Sequence, residues 1–213
     1  YSPMITEKNL KPPFISLLVS GGHTILSSVD DNLHITTLGT TLDDSAGECF
    51  DKIARKLNLG YPGGPEISRR SELSNNNKFI FPRPMIKSND YNFSFSGLKT
   101  HVINTIHKLE LTNEYINNIS YELQSAIVDT LISKSVEASK NLGVKNIVIT
   151  GGVSANQKLR KDFSCIKECK AYFPDVKFST DNGAMIAYAG FLKTKSSDFK
   201  KNYAIKPKPS LTL

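Results

Sequence analysis

Only three cysteines occur in the 213 residues, Cys49, Cys165 and Cys169. An odd count without framework spacing excludes a disulfide scaffold and argues for a reducing compartment, so a cytoplasmic location is expected. No apolar run approaches the roughly 20 residues that a bilayer crossing needs. No basic stretch followed by an apolar core opens the chain, as it would in a secretory leader, and no membrane association is expected. Tyr1 is not a methionine, so the chain need not begin at its natural start. There are no internal repeats. HExxH and HxxxH are absent, which removes the common zinc-peptidase signatures, and no Gly-x-Ser-x-Gly nucleophile elbow occurs. No Gly-Lys-Ser/Thr follows any glycine turn, and no complete dinucleotide fingerprint is present.

What remains is an ordinary globular composition, 39% hydrophobic and 22% charged, sufficient for a substantial core. The net charge is +7. Lys193, Lys195, Lys200, Lys201, Lys206 and Lys208 oppose only Asp198 near the end of the chain. Such a tail either attracts a polyanion or simply solubilises the protein. Cys165 and Cys169 stand four apart with no second ligand pair nearby, which favours ordinary thiols over a metal site.

The pattern predicts an α/β fold. Residues 14–19, 25–29 and 33–38 read as three consecutive antiparallel strands. Ala46, Cys49, Phe50, Ile53, Ala54 and Leu57 make one apolar helix face, with Asp43 and Asp44 at its start. A second helix is predicted over 66–73, a short strand over 93–96, and helices over 97–106 and 113–140. Residues 145–150 form a buried strand. A helix then starts at Ser154, whose spacing to Gln157 suits a capping box. A final strand over 176–179 leads to a small-residue helix through Gly190.

Glycine-rich turns recur at 20–24, 61–65 and 151–156. Glycine lets a backbone approach phosphate, and free N–H groups at helix starts bind anions, so several such turns together point to a nucleotide or phosphate ligand. Asp51 can accept ribose hydroxyls or be a plain surface aspartate. Asn156 can read a base or sugar, or serve only the helix start. Asp181 can ligate a metal or cap a helix. His23, beside Gly22, can contact an anionic ligand.

Seven motifs occur in order: Ser20-Gly21-Gly22-His23-Thr24, the run from Asp43 to Lys52, Tyr61-Pro62-Gly63-Gly64-Pro65, Phe81-Pro82-Arg83-Pro84, Phe93 to Thr100, Gly151 to Asn156, and Thr180 to Met185. Together they resemble the bacterial and organellar tRNA N6-adenosine threonylcarbamoyltransferases, once called O-sialoglycoprotein endopeptidases. The resemblance implies an actin/sugar-kinase/Hsp70-like, ribonuclease H-like fold. Residues 1–213 would be the C-terminal two-thirds of it, the second lobe and the end of the first. The N-terminal lobe and its HxxxH segment would be absent.

The implied reaction moves threonylcarbamoyl from threonylcarbamoyl-AMP to the exocyclic amine of the adenosine next to the anticodon, in tRNAs reading ANN codons. The implied substrate contacts are Leu18, Val19, Ser20, Gly21, Gly22, Asp51, Gly64 and Asn156. Asp181 is the implied ligand of one divalent metal, with iron expected ahead of zinc. Ser68 departs from the aspartate that many relatives place against the adenylate. Implied partners are tRNA, a non-catalytic paralogous subunit and a small P-loop ATPase. With one metal ligand of three present, the alternative is a non-catalytic nucleotide-binding or assembly subunit. No catalytic residue is singled out, because no general base is evident.

Overall fold

The computed structural model describes residues 1–74 and 78–194. Five strands form one mixed sheet: β1 Phe14–Val19, β2 Thr24–Val29, β3 Ile35–Thr40, β4 Asn146–Thr150 and β5 Lys170–Tyr172. Their spatial order is β3-β2-β1-β4-β5. The first three strands pair antiparallel, while β4 pairs parallel with both β1 and β5. The helices are α1 Ala46–Lys56, α2 Gly63–Glu72, α3 Ser96–Ile106, α4 Asn113–Leu142, α5 Gln157–Ser164 and α6 Gly183–Thr194.

Side-chain alternation divides the two sheet faces. Ile15, Leu17 and Val19 of β1, with Ile147 and Ile149 of β4, enter the main core against α1, α3 and α4. Phe14 and Val148 face the other way, in a small cluster with Leu10, Val29 and Tyr172. The thirty-residue α4 is capped by Thr112, which accepts from the Tyr115 N–H at 3.3 Å, and it ends at left-handed Gly143 (φ 65°). Unlike the other helices, α6 buries none of its residues, and it leaves Ile186 and Phe191 exposed. Among the described residues no helix is long and apolar enough to cross a membrane.

Three local expectations change. Residues 93–96 are not a strand: Phe93 makes a single bridge to Thr41, and Ser96 already starts α3. Val176–Phe178 is one 3-10 turn rather than a strand. The strand lies earlier, at Lys170–Tyr172, before Pro174 interrupts the chain. The capping box at Ser154 does not form; Ser154 lies in a 3-10 turn and Asn156 caps α5, accepting from the Leu159 N–H at 3.0 Å. A capping box does form at α1, between Ser45 and Glu48. Lys195, Lys200, Lys201, Lys206 and Lys208 of the basic tail lie outside the described residues.

Two cations tie the non-helical stretch before α3 to α4. Arg83 donates to Asp129 (2.8 and 3.1 Å), to the Phe81 carbonyl (2.7 Å) and to Glu122. Glu122 is buried and also accepts the Phe81 N–H at 3.2 Å. Lys134, fully buried, donates to the Ser88 hydroxyl (2.8 Å) and to the Ser88 and Asp90 carbonyls. A buried charge persists only when its hydrogen bonds are made. Glu122→Ala strands the Phe81 N–H and removes one of the two acceptors of Arg83 Nη1, which keeps the Phe81 carbonyl; since Arg83 also keeps Asp129, the expected loss is about 2 kcal/mol. Urea unfolding would show it as a lower midpoint at unchanged slope.

Candidate functional site

The three glycine turns, distant in sequence, meet at one cleft of about 590 Å³. Gly21 of the β1–β2 turn lines it, with Gly47, Phe50 and Asp51 of α1. Tyr61, Pro62, Gly64, Pro65, Ser68, Arg69 and Glu72 form a second wall, mostly on α2. A third wall comes from Gly152, Val153, Ala155, Asn156 and Gln157 after β4, with Thr180 at the rim. The first turns of α1 (Gly47), α2 (Gly64, Pro65) and α5 (Gln157, after its cap Asn156) therefore all open on the same space.

The walls approach closely because glycine stands at their junctions. A Cβ on Gly47 would lie 2.5 Å from the Ser20 carbonyl oxygen, and one on Gly151 (φ +90°) 2.3 Å from that of Val19. Ser45 Oγ donates to the Gly21 carbonyl at 2.7 Å, and the Gly47 N–H reaches the Ser20 carbonyl at 3.2 Å. The turn is itself locked: Ser20 Oγ accepts from the Gly22 and His23 N–H groups at 3.3 and 3.1 Å.

Of the residues singled out from the sequence, Gly21, Asp51, Gly64 and Asn156 line the cleft together. Leu18 and Val19 lie within β1, with Val19 wholly buried in the core. Ser20 and Gly22 shape the turn without lining the cleft, and the His23 side chain is exposed beside them. Asp51 Oδ1 accepts the Gly63 N–H at 2.7 Å, which ties α1 to the start of α2. Asp181 is exposed, one residue beyond the rim residue Thr180. Asn182, not Asp181, caps α6, accepting from the Met185 N–H at 2.9 Å. Among the described residues no three His, Cys, Asp or Glu side chains converge, so Asp181 alone does not complete the implied metal site. Cys165 is exposed past the end of α5, and Cys169 is buried near β5.

Phe50, Arg69, Glu72, Gln157 and Thr180 line the cleft without having been read from the sequence. Their signal was proximity to the glycine motifs: Phe50, Gln157 and Thr180 lie in or beside one, and Arg69 and Glu72 follow one and two turns along α2. Arg69 is paired to Glu66 at 2.8 Å. Cys49 is no nucleophile: burial, aided by Asp44, pushes its thiol up to about 12, so it stays neutral near pH 7.

A family model, that of TsaD, tRNA N6-adenosine threonylcarbamoyltransferase, matches residues 1–188. The chain belongs to this threonylcarbamoyltransferase family. The relative from Thermosipho africanus is 50% identical over 194 residues, covering 90% of this chain and 59% of its own length. That from Herminiimonas arsenicoxydans is 47% identical over 216 residues, covering 98% and 63%. The chain thus spans roughly three-fifths of these threonylcarbamoyltransferases. Among solved structures, HypF of T. kodakarensis aligns with a TM-score of 0.69 at 16% identity, over 91% of this chain and 35% of that one. The activator of the 2-hydroxyisocaproyl-CoA dehydratase from Clostridium difficile aligns at 0.51 and 17% identity, over 92% and 66%. The fold is of the expected actin/sugar-kinase/Hsp70-like class.

The motif aspartates beside the cleft are structural. Asp44 is ion-paired with Lys52 (2.8 Å) and Lys99 (2.7 Å). Asp43 accepts from the Ser94 and Ser96 hydroxyls (both 2.6 Å) and from the Phe95 and Ser96 N–H groups (2.8 and 3.1 Å), capping α3 from a distance. Burial pushes the Asp43 carboxyl up, but these four donors outweigh it and hold it below the ordinary carboxylate value. A carboxyl depressed by folding adds stability that is complete above its unfolded value of about 4 and is lost as pH falls through the folded value. Urea midpoints followed from pH 7 to acid should therefore fall in wild type below about pH 4, with a smaller fall in Asp43→Asn.

Proposed function

We propose that the cleft binds the adenylate of threonylcarbamoyl-AMP and that the protein transfers threonylcarbamoyl to the exocyclic amine of the adenosine beside the anticodon, in tRNAs reading ANN codons. The observation that carries this reading is the convergence of three helix N-terminal turns on one cleft in a chain of this family. A helix N-terminus turns a favourable dipole toward an anion, which suits a phosphoryl group; the α1 start offers only this dipole, because its Ala46, Gly47 and Glu48 N–H groups are spent on Thr24, Ser20 and Ser45. The activator from Clostridium difficile, of the same fold, was solved with bound ADPNP.

Each residue then has a task. Gly21 and the start of α5 face the phosphate, where negative charge grows as AMP departs. Asp51, with Oδ1 held by Gly63, offers its other oxygen to the ribose hydroxyls. Gly64 leaves room for the nucleotide, and Asn156 presents an amide to it. Leu18 and Val19 act through the backbone that sets the Ser20–Gly22 turn. The donor is a mixed carboxylic–phosphoric anhydride: the amine forms the new C–N bond and gives up one N–H proton to solvent, while the C–O bond to phosphate breaks and AMP leaves with the electron pair. Positioning the two reactants and stabilising the leaving phosphate are the contributions this chain makes. The family resemblance adds a divalent metal, iron ahead of zinc, with Asp181 as its ligand here. One carboxylate is not a donor set, and no step is assigned to the metal. The partners in this reading are tRNA, a paralogous subunit and a small P-loop ATPase.

The test is incorporation of labelled threonine into unmodified tRNA, with those partner proteins, bicarbonate and ATP. Incorporation supports transfer. Nucleotide binding without incorporation favours the non-catalytic subunit instead. Gly64 supplies a sharper check. A Cβ there meets nothing within 4 Å, and alanine suits a helix better than glycine. Gly64→Ala should therefore keep or raise Tm while weakening adenine nucleotide binding by about tenfold, because the methyl enters ligand space. Unchanged affinity would place the nucleotide elsewhere.

A further inference from the structure

Gln124 lies on the buried side of α4, 3% exposed, between Leu123 and Ala126 of the core. A buried primary amide must place two donors and one acceptor oxygen. Its oxygen and one of its two N–H donors are placed in a directed chain. Asn156 Nδ2 donates to Gln124 Oε1 at 2.7 Å. Gln124 Nε2 donates to Ser71 Oγ at 2.7 Å. Ser71 Oγ donates to the Ser68 carbonyl at 2.6 Å. Both ends, Asn156 and Ser68, line the cleft, while Gln124 and Ser71 do not.

The direction of the chain is set at both ends. Amide oxygen and nitrogen are interchangeable in shape, so their assignment rests on partners. The Leu159 N–H can only donate, and it points at Asn156 Oδ1 at 3.0 Å. Oδ1 is thereby fixed, which turns Nδ2 toward Gln124. Gln124 must meet it with its oxygen, so its nitrogen faces Ser71, whose proton goes to Ser68. A backbone N–H at the start of α5 and a backbone carbonyl on α2 impose the same orientation on every group between them.

Resting on the nucleotide reading of the cleft, we propose that Gln124 is a positioning residue: it holds the Asn156 amide in the orientation the nucleotide meets and ties the α5 wall of the cleft to the α2 wall. It touches no ligand and acts through Asn156. Without it the Asn156 amide loses its partner and swings about its last torsion, and the Ser71 hydroxyl loses its donor.

The experiment is a double-mutant cycle on AMP and ATP affinity in the full chain, using Gln124→Met, Asn156→Ala and the pair, with Tm recorded for each. Gln124→Met should weaken both nucleotides by about tenfold, and adding it to Asn156→Ala should change affinity by less than about twofold. Gln124→Glu is the second variant. It keeps an acceptor for Asn156 Nδ2, so it should bind nucleotide better than Gln124→Met even though a buried carboxyl lowers Tm. A purely structural role predicts the opposite ranking, with affinity following Tm. Losses that multiply in the double variant, or Gln124→Met at wild-type affinity, overturn the proposal while leaving the cleft's function standing. Wild-type protein that binds neither AMP nor ATP overturns both.

Discussion

The first turn of α1 sits directly on the backbone of the β1–β2 turn, and the cleft exists because of that contact. Ser45 Oγ reaches the Ser20 and Gly21 carbonyls (3.2 and 2.7 Å), and Gly47 brings its N–H to the Ser20 carbonyl. Only a residue without a Cβ permits this, since an added carbon would lie 2.5 Å from the Ser20 oxygen. With α1 seated there, Asp51 is placed two turns' reach from the sheet and accepts the Gly63 N–H, which starts α2. On the other side Gly151 lets the β4 turn cross the Val19 carbonyl, so α5 begins beside the same opening. Three helix starts thus meet through short backbone contacts rather than long side chains. Such a floor costs little to hold in place when charge develops above it.

Much of this was legible in the sequence because the strong signals are repetitive. The runs at 14–19 and 145–150 carry consecutive apolar residues and lead into glycine turns, as a strand followed by a tight turn does. The apolar spacing from Ala46 to Leu57 marks α1 equally well. Their convergence in space was legible only through the resemblance of the ordered motifs. What escaped the pattern was short or internal. Three residues, Lys170–Tyr172, carry no periodicity, and Val176–Phe178 alternates like a strand although Val176 is exposed. Periodicity also misreads buried polar groups: Lys134 and Gln124 look like surface positions of a helix, yet they are among its most buried.

Those two residues show why α4 is more than a packing element. Lys134 fastens the stretch around Ser88–Asp90, the Arg83–Glu122 pair fastens Phe81, and Gln124 fastens Ser71 and Asn156. Each is a directional bond from one rigid helix: the first two reach a stretch with little regular structure of its own, and the third reaches α2 and the cap of α5. Apolar packing alone would allow such segments to slide, because hydrophobic contact is indifferent to small displacements. A hydrogen-bonded buried amide is not indifferent, since losing its geometry leaves an unsatisfied group in the core.

The acidic run Asp43 to Asp51 sharpens the division between structure and chemistry. Four carboxylates within nine residues invite an acid–base reading. Asp43 is consumed in capping α3, Asp44 in pairing with Lys52 and Lys99, and Glu48 in the capping box of α1. The partners of Asp43 and Asp44 favour the ionised form, which suits neither a proton donor nor a poised base near neutral pH. Asp51 alone lines the cleft, and one of its oxygens is spent on Gly63. A single carboxylate with one oxygen remaining is suited to hold hydroxyls in place, not to shuttle a proton. Under the proposed function, this arrangement suits a cleft that orients a reactive anhydride and receives its leaving phosphate, with the intrinsic reactivity of the donor supplying the rest.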